Sequence, residues 1–269
     1  MLPPTKLKKE LQTAREAATS AGNVLKKMLG TAGLVAKKGD IDLVTEADIE
    51  SERIILDIIQ RDFPNDDILS EEAGTLQKSS ERIWIVDPLD GTTNFAHGFP
   101  FFAVSIALQI ENWVKLGIVF NPCMDEYFEA VEGMGSYLNK KPLHVSGTSR
   151  LNESLLGTGF PYDIHKKNKR VMELFSRMAS SAQGIRRPGS AAIDLCYVAA
   201  GRMDGFWEQD LKPWDTAAGA IIVREAGGVI TTFDGKPYSP FLKTIVAANP
   251  SIHPEMIRLL NAQARNTAK

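Results

Sequence analysis

Apolar residues recur at helical spacing in two segments near the start of the chain. Across Leu7–Leu29 they form one stripe, which predicts an amphipathic helix that Gly30 ends. A second helix is predicted over Thr45–Gln60, with Thr45 as a candidate N-cap and Asp48 three residues later. The first two predicted elements are therefore helices.

The middle of the chain changes to short apolar runs of the kind that form strands. Ile83–Val86 is fully apolar and precedes Asp87-Pro88, which predicts a buried strand that ends at the edge of a sheet. Three further strands are predicted at Ala103–Ile110, Val114–Phe120 and Glu126–Val131. The first two of these flank a turn at Glu111-Asn112, so they are expected to form a hairpin. The middle section is predicted to be a largely antiparallel sheet.

Helices and strands alternate in the second half of the chain. The predicted helices are Asn168–Ser180, Ser190–Ala200, Thr216–Ala226 and Pro254–Gln263. The predicted strands are Gly205–Glu208, Val229–Thr232 and Thr244–Ala247. Neither a repeat nor a low-complexity linker divides the sequence. Residues 1–269 are therefore predicted to form one α/β domain of two packed halves, with a soft boundary near residue 145.

Composition and charge narrow the classes of function. Apolar residues make up 43% of the chain and charged residues 24%, an ordinary balance for a globular protein. A net charge of −2 gives no general electrostatic reason to bind nucleic acid or an acidic membrane. Cys123 and Cys196 stand in unrelated contexts and are interpreted as small buried residues in a reducing compartment. Without a signal-peptide pattern or a membrane-length apolar run, a cytoplasmic location is expected.

Two carboxylates follow the apolar strand Ile83–Val86, within the run Asp87-Pro88-Leu89-Asp90-Gly91-Thr92-Thr93-Asn94. Gly91 would let the backbone approach a ligand, and Thr92 could begin a segment with free N–H groups. Carboxylates beside such amides suit Mg²⁺, which prefers carboxylate, water and phosphate oxygens as ligands. Turn capping by the two acids is the competing interpretation of this motif alone.

Two more acids stand at the ends of predicted elements. Glu71 follows the apolar pair Ile68-Leu69, and Asp215 precedes the predicted helix Thr216–Ala226. Alone, Glu71 would be a solvated loop carboxylate and Asp215 an N-cap. Four acids at the ends of separate apolar segments favour a metal cluster instead. Two cations there could hold an attacking water and a leaving oxygen.

The motifs, taken in order, are similar to those of a known family. The run from Asp87 to Asn94 resembles the first signature of the inositol monophosphatase family. Trp214-Asp215, Ala217-Ala218-Gly219 and Glu225-Ala226-Gly227-Gly228 resemble the second. The likeness also includes Lys37, Asp42-Leu43-Val44-Thr45, Glu71-Glu72 and Gly189-Ser190-Ala191-Ala192, so it covers nearly the whole chain. It implies an α/β (α+β) fold, the layered αβαβα sugar-phosphatase fold of the inositol monophosphatase/fructose-1,6-bisphosphatase type.

The resemblance implies two to three Mg²⁺ ions as cofactors. Glu71, Asp87 and the carbonyl of Leu89 would hold one ion. Asp87, Asp90 and Asp215 would hold a second, and a third, weaker ion would lie near Glu71 with several waters. Leu89 stands where isoleucine is frequent, but only its carbonyl is needed.

The resemblance also implies the catalytic and substrate-binding residues. Thr92 and Asp48 would form the dyad that deprotonates the attacking water, helped by Glu71, with Lys37 as a nearby cation. Lys37 has a competing interpretation as a solvated loop charge. The implied substrate contacts are Leu89, Asp90, Gly91, Thr92, Gly189, Ser190, Ala191, Glu208 and Asp215. If Glu208 is buried on its strand, it needs a polar partner, which a hydroxyl pair of the substrate would provide.

The implied reaction is hydrolysis of inositol monophosphate without a phosphoenzyme, by a lithium-sensitive homodimer. Histidinol phosphate, a sugar phosphate or a 3′-phosphoadenosine nucleotide stay open as substrates, because Gly159–Asn168 and Gln183–Pro188 do not map clearly onto the family. The alternative of another class is an RNA- or protein-binding regulator that keeps the fold. The runs Lys166–Arg170 and Arg186-Arg187 support it, although such runs usually form solvated helix faces.

Overall fold

The computed structural model describes residues 7–37, 43–161 and 164–262. The helices in these ranges are α1 Lys8–Met28, α2 Glu46–Asp62, α3 Thr92–Ala96, α4 Ile164–Ala179, α5 Ala191–Ala199, α6 Pro213–Glu225 and α7 His253–Asn261. The strands of the first half are β1 Leu34–Lys37, β2 Leu43–Thr45, β3 Asp67–Ser70, β4 Gly74–Leu76, β5 Arg82–Asp90, β6 Ala103–Ile110, β7 Trp113–Asn121, β8 Glu126–Val131, β9 Ser136–Leu138 and β10 Lys141–Pro142. Those of the second half are β11 Leu155–Thr158, β12 Gly184–Arg186, β13 Gly205–Gln209, β14 Val229–Thr231 and β15 Thr244–Ala248.

The strands form one small and two larger sheets. β1 and β2 pair by themselves, while an eight-stranded sheet has the order β10-β9-β8-β7-β6-β5-β3-β4. Its neighbours are antiparallel except β3 and β5, which run parallel. A five-stranded sheet has the order β12-β11-β13-β15-β14, with β11 parallel to both of its neighbours. The predicted antiparallel middle section is thus confirmed as most of the eight-stranded sheet.

Helices cover both larger sheets and separate them. α1 and α2 pack on one face of the eight-stranded sheet, and α5 and α6 fill the space between the two sheets. α4 and α7 cover the outer face of the five-stranded sheet. Three clusters of buried apolar side chains fill the spaces between these layers, and the central cluster lies on both faces of the α5–α6 layer, as a layered α/β domain requires. The expected αβαβα layering is confirmed.

A glycine allows α6 to lie close against the large sheet. A Cβ on Gly117 of β7 would come within 2.7 Å of the Ala218 carbonyl oxygen and 2.6 Å of the Ile221 side chain. Since real side chains do not tolerate such distances, a larger residue would push α6 away from the sheet. Asp215 lies in the first turn of α6, so this contact also affects where that carboxylate sits.

Two of the predicted boundaries that differ from the structure lie next to candidate site residues. The strand predicted to end before Asp87-Pro88 continues as β5 to Asp90, with an irregularity between Asp87 and Asp90 in its pairing with β6. Pro88 lies within the irregularity, where its missing N–H breaks no regular ladder bond. Asp215 is not the N-cap of its helix: α6 begins at Pro213, a favoured first position, and Lys212 is the N-cap.

Several short strands had no sequence prediction, among them β11 and β12 of the five-stranded sheet. The chain passes from the first large sheet to the second between Pro142 and Leu155. The soft boundary near residue 145 falls in this segment and stays a prediction. Among the helices described, none has the length and apolar character needed to cross a membrane.

Candidate active site

A cleft of about 320 Å³ brings the predicted site residues together. We call its side from β3, β5 and α3 the first wall, and its side from α5, β13 and the segments around Gly159 and Gly189 the second wall. The predicted residues that line the cleft are Glu71, Asp87, Leu89, Asp90, Gly91, Thr92, Gly189, Ser190, Ala191, Glu208 and Asp215. Residues far apart in the sequence thus meet at one site.

Asp87 and Asp90 lie on the irregular end of β5. Both side chains are buried, with Asp87 1% exposed, and the Leu89 N–H donates to Asp87 Oδ1 at 3.0 Å. Burial raises the pKa of Asp87 well above its ordinary value, and the negative charges of Glu71, Asp90 and Asp215 add to this effect. Asp87 is therefore the centre of a group of like charges.

Asp90 connects the two walls. Its Oδ2 accepts hydrogen bonds from the Ser190 hydroxyl at 2.5 Å and from the Ala192 N–H at 2.8 Å. These donors belong to the start of α5, where a helix favours a negative charge. Burial nevertheless raises the pKa of Asp90 to about 6, against the lowering effect of these hydrogen bonds.

Glu71 and Asp215 complete the acidic set from two other elements. Glu71 follows β3, and its N–H donates to the Val86 carbonyl of β5 at 3.3 Å. Asp215 Oδ2 accepts the Lys212 N–H at 2.7 Å, which fixes the carboxylate in the first turn of α6. Burial and the charges of Asp90 and Glu71 raise the pKa of Asp215.

These acids suit a hard divalent cation. Within the part of the chain that is described, no three acidic, cysteine or histidine side chains stand together as a finished ligand set for one ion. The carboxylates do share one cleft. Repulsion from acidic neighbours contributes to the raised pKa values of Asp87 and Asp215. A bound cation would relieve that repulsion, and oxygen is the donor that Mg²⁺ prefers. The donor set therefore fits the implied metal.

Thr92 and Asp48 form a hydrogen-bonded pair behind the carboxylates. The Thr92 hydroxyl donates to Asp48 Oδ1 at 2.9 Å. Asp48 Oδ2 accepts from both the N–H and the hydroxyl of Thr45, at 2.8 and 2.6 Å. Asp48 is 1% exposed, and this burial raises its pKa although the hydrogen bonds from Thr45 and Thr92 oppose the change. The capping arrangement of α2 thus holds the predicted dyad in place.

The side chain of Lys37 lies outside the described residues, although its backbone belongs to β1. Its implied role as a nearby cation therefore stays a prediction.

The two walls are joined by close contact between the backbones at Gly91 and Gly189 and by the side chain of Asn94. Gly91 has φ of +97°, and a Cβ there would lie 3.0 Å from the Phe101 carbonyl oxygen and 3.2 Å from that of Gly189. The amide nitrogen of Asn94 donates to the carbonyls of Phe101 and Pro188, at 2.7 and 2.8 Å. The segment around Gly189 is therefore fixed directly against the turn that follows β5.

Glu208 is buried on β13, as the sequence analysis considered. Its side chain is 7% exposed, and a Cβ on Gly159 would come within 2.2 Å of both carboxylate oxygens. The absence of a side chain at Gly159 therefore makes room for this carboxyl group. Burial raises the pKa of Glu208, with help from Asp215 and against the effect of Arg187.

The sequence analysis gave no role to three residues that line the cleft, Asn94, Arg187 and Asp194. Asn94 lay inside the quoted motif, which was the available signal. Arg187 lay in a segment that could not be mapped and was considered only as part of a basic run. Asp194 lay in a predicted helix, where a first-turn acid has an ordinary explanation. Its burial could not be seen from spacing.

Comparison with known proteins agrees with this fold and site. The family model of the inositol monophosphatase family matches residues 6–266. The inositol-1-monophosphatase of Synechocystis is 45% identical over 261 residues, which cover 96% of this chain and 91% of that protein. The Nus factor SuhB of Escherichia coli K12 is 38% identical over 262 residues, covering 96% and 98%. The solved structure of inositol monophosphatase from Anabaena has a TM-score of 0.86 at 43% identity, covering 94% of this chain and 96% of that one.

The layered fold, the carboxylate-rich cleft and these relatives define a phosphatase, a hydrolase of phosphate esters. More narrowly, the chain belongs to the inositol monophosphatase family. The resemblance drawn from the sequence motifs is thereby confirmed.

Proposed function

We propose that this chain hydrolyses inositol monophosphate to inositol and phosphate with Mg²⁺, by direct attack of water on phosphorus. One observation carries the proposal: the Thr92–Asp48 pair stands beside four acids that separate segments bring to one cleft.

We further propose that the protein acts as a cytoplasmic homodimer, as expected from its sequence and the family resemblance. Light scattering coupled to gel filtration tests the dimer.

The proposed metal ligands follow the donor set of the cleft. Glu71, Asp87 and the Leu89 carbonyl would hold one Mg²⁺, and Asp87, Asp90 and Asp215 a second. A third, weaker ion would lie near Glu71. When bound, such cations lower the pKa of a water molecule and offset the charge that develops on the leaving oxygen.

The Thr92–Asp48 pair supplies the proton acceptor. As the attacking water loses its proton to Thr92 Oγ1, the hydroxyl proton of Thr92 passes to Asp48 Oδ1 along their 2.9 Å hydrogen bond. Thr45 holds the other oxygen of Asp48, so the carboxyl group keeps its direction during the transfer. Glu71 would orient the same water. Phosphorus is attacked in line, and no residue of the chain becomes phosphorylated.

The remaining contacts position the ester. The N–H groups of Gly91 and Thr92 would bind phosphate oxygens, and Lys37 would add positive charge to this end of the cleft. On the second wall, Gly189, Ser190, Ala191 and Glu208 would contact the hydroxyl groups of the alcohol. Leu89, Asp90 and Asp215 would border both parts of the substrate.

Phosphate release from a substrate panel tests the proposal. Inositol 1-phosphate, histidinol phosphate, fructose 1,6-bisphosphate and 3′-phosphoadenosine 5′-phosphate would each be assayed with Mg²⁺, with EDTA and with added lithium chloride. We expect inositol 1-phosphate to lead, EDTA to abolish release, and lithium to inhibit by acting at the second metal position.

Two variants complete this assay. Asp90→Asn is expected to lose activity, whereas Asp57→Asn, on the exposed face of α2 beside Arg53, should keep it. A leading rate with another ester would move the substrate within the family. Release that persists in EDTA would contradict the metal-dependent mechanism.

A regulatory function is the second candidate, because the similar protein of Escherichia coli is named a Nus factor. The backbone of the basic run Lys166–Arg170 belongs to α4, and this run is the candidate contact for RNA. Binding of RNA would be measured by fluorescence anisotropy over a salt series, in the wild type and in Asp90→Ala. Binding that weakens with salt yet persists in the variant would support this function. An anisotropy of labelled RNA that does not change when the protein is added would count against this function.

A further inference from the structure

A second buried carboxyl group of the second wall has no role in the mechanism above. Asp194 lies in the first turn of α5, lines the cleft and is 1% exposed. A first-turn acid often serves the N-terminus of its helix. In α5, Asp90 already accepts the Ala192 N–H, and the Ser190 hydroxyl accepts the Ile193 N–H. Capping therefore does not explain Asp194.

One oxygen of this carboxyl group is left without a partner. Asp194 Oδ1 is buried and makes no hydrogen bond to any group in the described ranges. A buried polar atom in this state costs about 1–3 kcal/mol, and almost all such atoms in folded proteins are paired. The oxygen is therefore suited to a partner that arrives with a ligand.

The surroundings of Asp194 indicate the direction from which that partner comes. A Cβ on Gly157 of β11 would lie 3.7 Å from the Asp194 Cβ and 2.9 Å from Met203 Sδ, so the strand side is tightly packed. Burial raises the pKa of Asp194 well above its ordinary value. Among its charged neighbours, Glu208 and Asp90 raise this pKa further and Arg187 lowers it. All three line the cleft. The polar environment of Asp194 thus faces the substrate site.

Arg187 balances charge here without satisfying the unpaired oxygen. It lowers the pKa of both Asp194 and Glu208. Its guanidinium lies over the ring of Phe160, 5.8 Å from the centroid, at the rim of the same cleft. Asp194 and Glu208, two buried carboxyl groups influenced by one cation, thus give the second wall strong hydrogen-bonding capacity.

We propose that Asp194 is a substrate-binding residue that selects a polyhydroxylated alcohol, its unpaired oxygen taking a hydrogen bond from a hydroxyl group beyond those bound by Glu208. The bond forms directly or through one retained water. This inference rests on the proposed phosphatase function and extends it to substrate choice. A site built to bind a hydroxyl group rejects an analogue that lacks it, because a buried polar group then stays unpaired.

Two substrates separate this role from a general effect on the enzyme. Inositol 1-phosphate carries further hydroxyl groups on its alcohol, whereas p-nitrophenyl phosphate carries none. We expect Asp194→Ala to lower kcat/KM for inositol 1-phosphate by about tenfold to a hundredfold. For p-nitrophenyl phosphate it should stay within about twofold of wild type. The inhibition constant of free inositol should rise in parallel, while that of inorganic phosphate should not. Asp57→Ala is the matched surface control.

The outcomes are distinct. Equal losses with both substrates, or no loss with either, would overturn the role of Asp194. Should Asp194→Ala not fold, Asp194→Asn keeps the shape of the side chain and removes its charge. Its expected loss is several-fold and confined to inositol 1-phosphate, since an amide makes the weaker, uncharged hydrogen bond. Failure of the wild type to hydrolyse inositol 1-phosphate with Mg²⁺ would instead overturn the proposed function, and this inference with it.

Discussion

The two walls of the cleft differ in how completely their polar groups are satisfied by the protein itself. Directly behind the first wall, Asp48 accepts bonds from Thr45 and Thr92, and on that wall Asp87 accepts the Leu89 N–H. On the second wall, Asp194 keeps a buried oxygen without a partner in the described ranges. We infer that the two walls have different roles. The first wall is preorganised for chemistry on phosphate, and the second retains an unsatisfied hydrogen-bonding group for the alcohol.

The largest expected effect comes from breaking the pair behind the first wall. Thr92→Val and Asp48→Asn should each lower kcat by about 10²–10⁴-fold, since each would interrupt the same proposed proton transfer. Because the two residues act as a unit, the double variant should be little worse than either single one. Steady-state kinetics with inositol 1-phosphate measure this. Thr75→Val, at an exposed position of β4, is the control. Losses that multiply in the double variant would show that the two residues act separately.

The first wall was also the easier one to predict from sequence. Its acids and Thr92 lie in short motifs next to strongly apolar strands, so local spacing was informative. The helix after Asp215 was predicted to begin at Thr216, but it begins at Pro213, so Asp215 lies in its first turn and not at an N-cap, its competing interpretation. β5 was predicted too short because an irregular strand end resembles a strand stop in sequence.

The second wall depends on contacts that spacing does not reveal. β11 and β12 have four and three residues, too few for a hydrophobic period to be recognised. Arg187 follows the second of these strands, and Asp194 becomes a buried, unpaired acid only because β11 and β13 pack against α5. Glu208 was anticipated through the family resemblance. Its fit against Gly159 required the fold.

A second prediction separates the walls. Asn94→Ala removes the two hydrogen bonds that its amide donates to Phe101 and Pro188. We expect the free energy of unfolding to fall by about 2 kcal/mol, from two bonds at roughly 1 kcal/mol each. We also expect kcat/KM to fall, because Gly189 loses its support. Urea unfolding and kinetics measure these changes, with Asn112→Ala in the exposed hairpin turn as the control. Unchanged stability would mean that the walls hold their spacing without Asn94.

A third prediction concerns the charge of the first wall after metal removal. The folded-state pKa of Asp90 is about 6, above its ordinary value of 3.8. Between these two values the folded protein therefore binds more protons than the unfolded chain. The stability that protonation of Asp90 contributes is lost as the pH rises through about 6. In EDTA, we expect a higher Tm at pH 5 than at pH 7.5.

Asp90→Asn should flatten this dependence, and Mg²⁺ at pH 7.5 should raise the Tm of the wild type by binding the folded state. His253, whose pKa is lowered by burial, acts in the opposite direction below pH 6.5. Its contribution is common to both proteins. Because Asp90 also raises the pKa of Asp87 and of Asp215, the difference between the two proteins reports Asp90 together with its effect on these neighbours. A steeper slope in Asp90→Asn than in the wild type would contradict the assignment.

The smallest expected effect tests a single bond between the walls. The Ser190 hydroxyl donates to Asp90 and accepts the Ile193 N–H as the N-cap of α5. Ser190→Ala should lower the free energy of unfolding by about 1 kcal/mol, the usual cost of losing such a cap. Ser190→Thr keeps the hydroxyl and should stay within about 0.5 kcal/mol of the wild type. Chemical denaturation of the metal-free proteins compares the three. If alanine and threonine behaved alike, the backbone N–H of Ala192 alone would hold Asp90, and the walls would be joined by main chain rather than by this side chain.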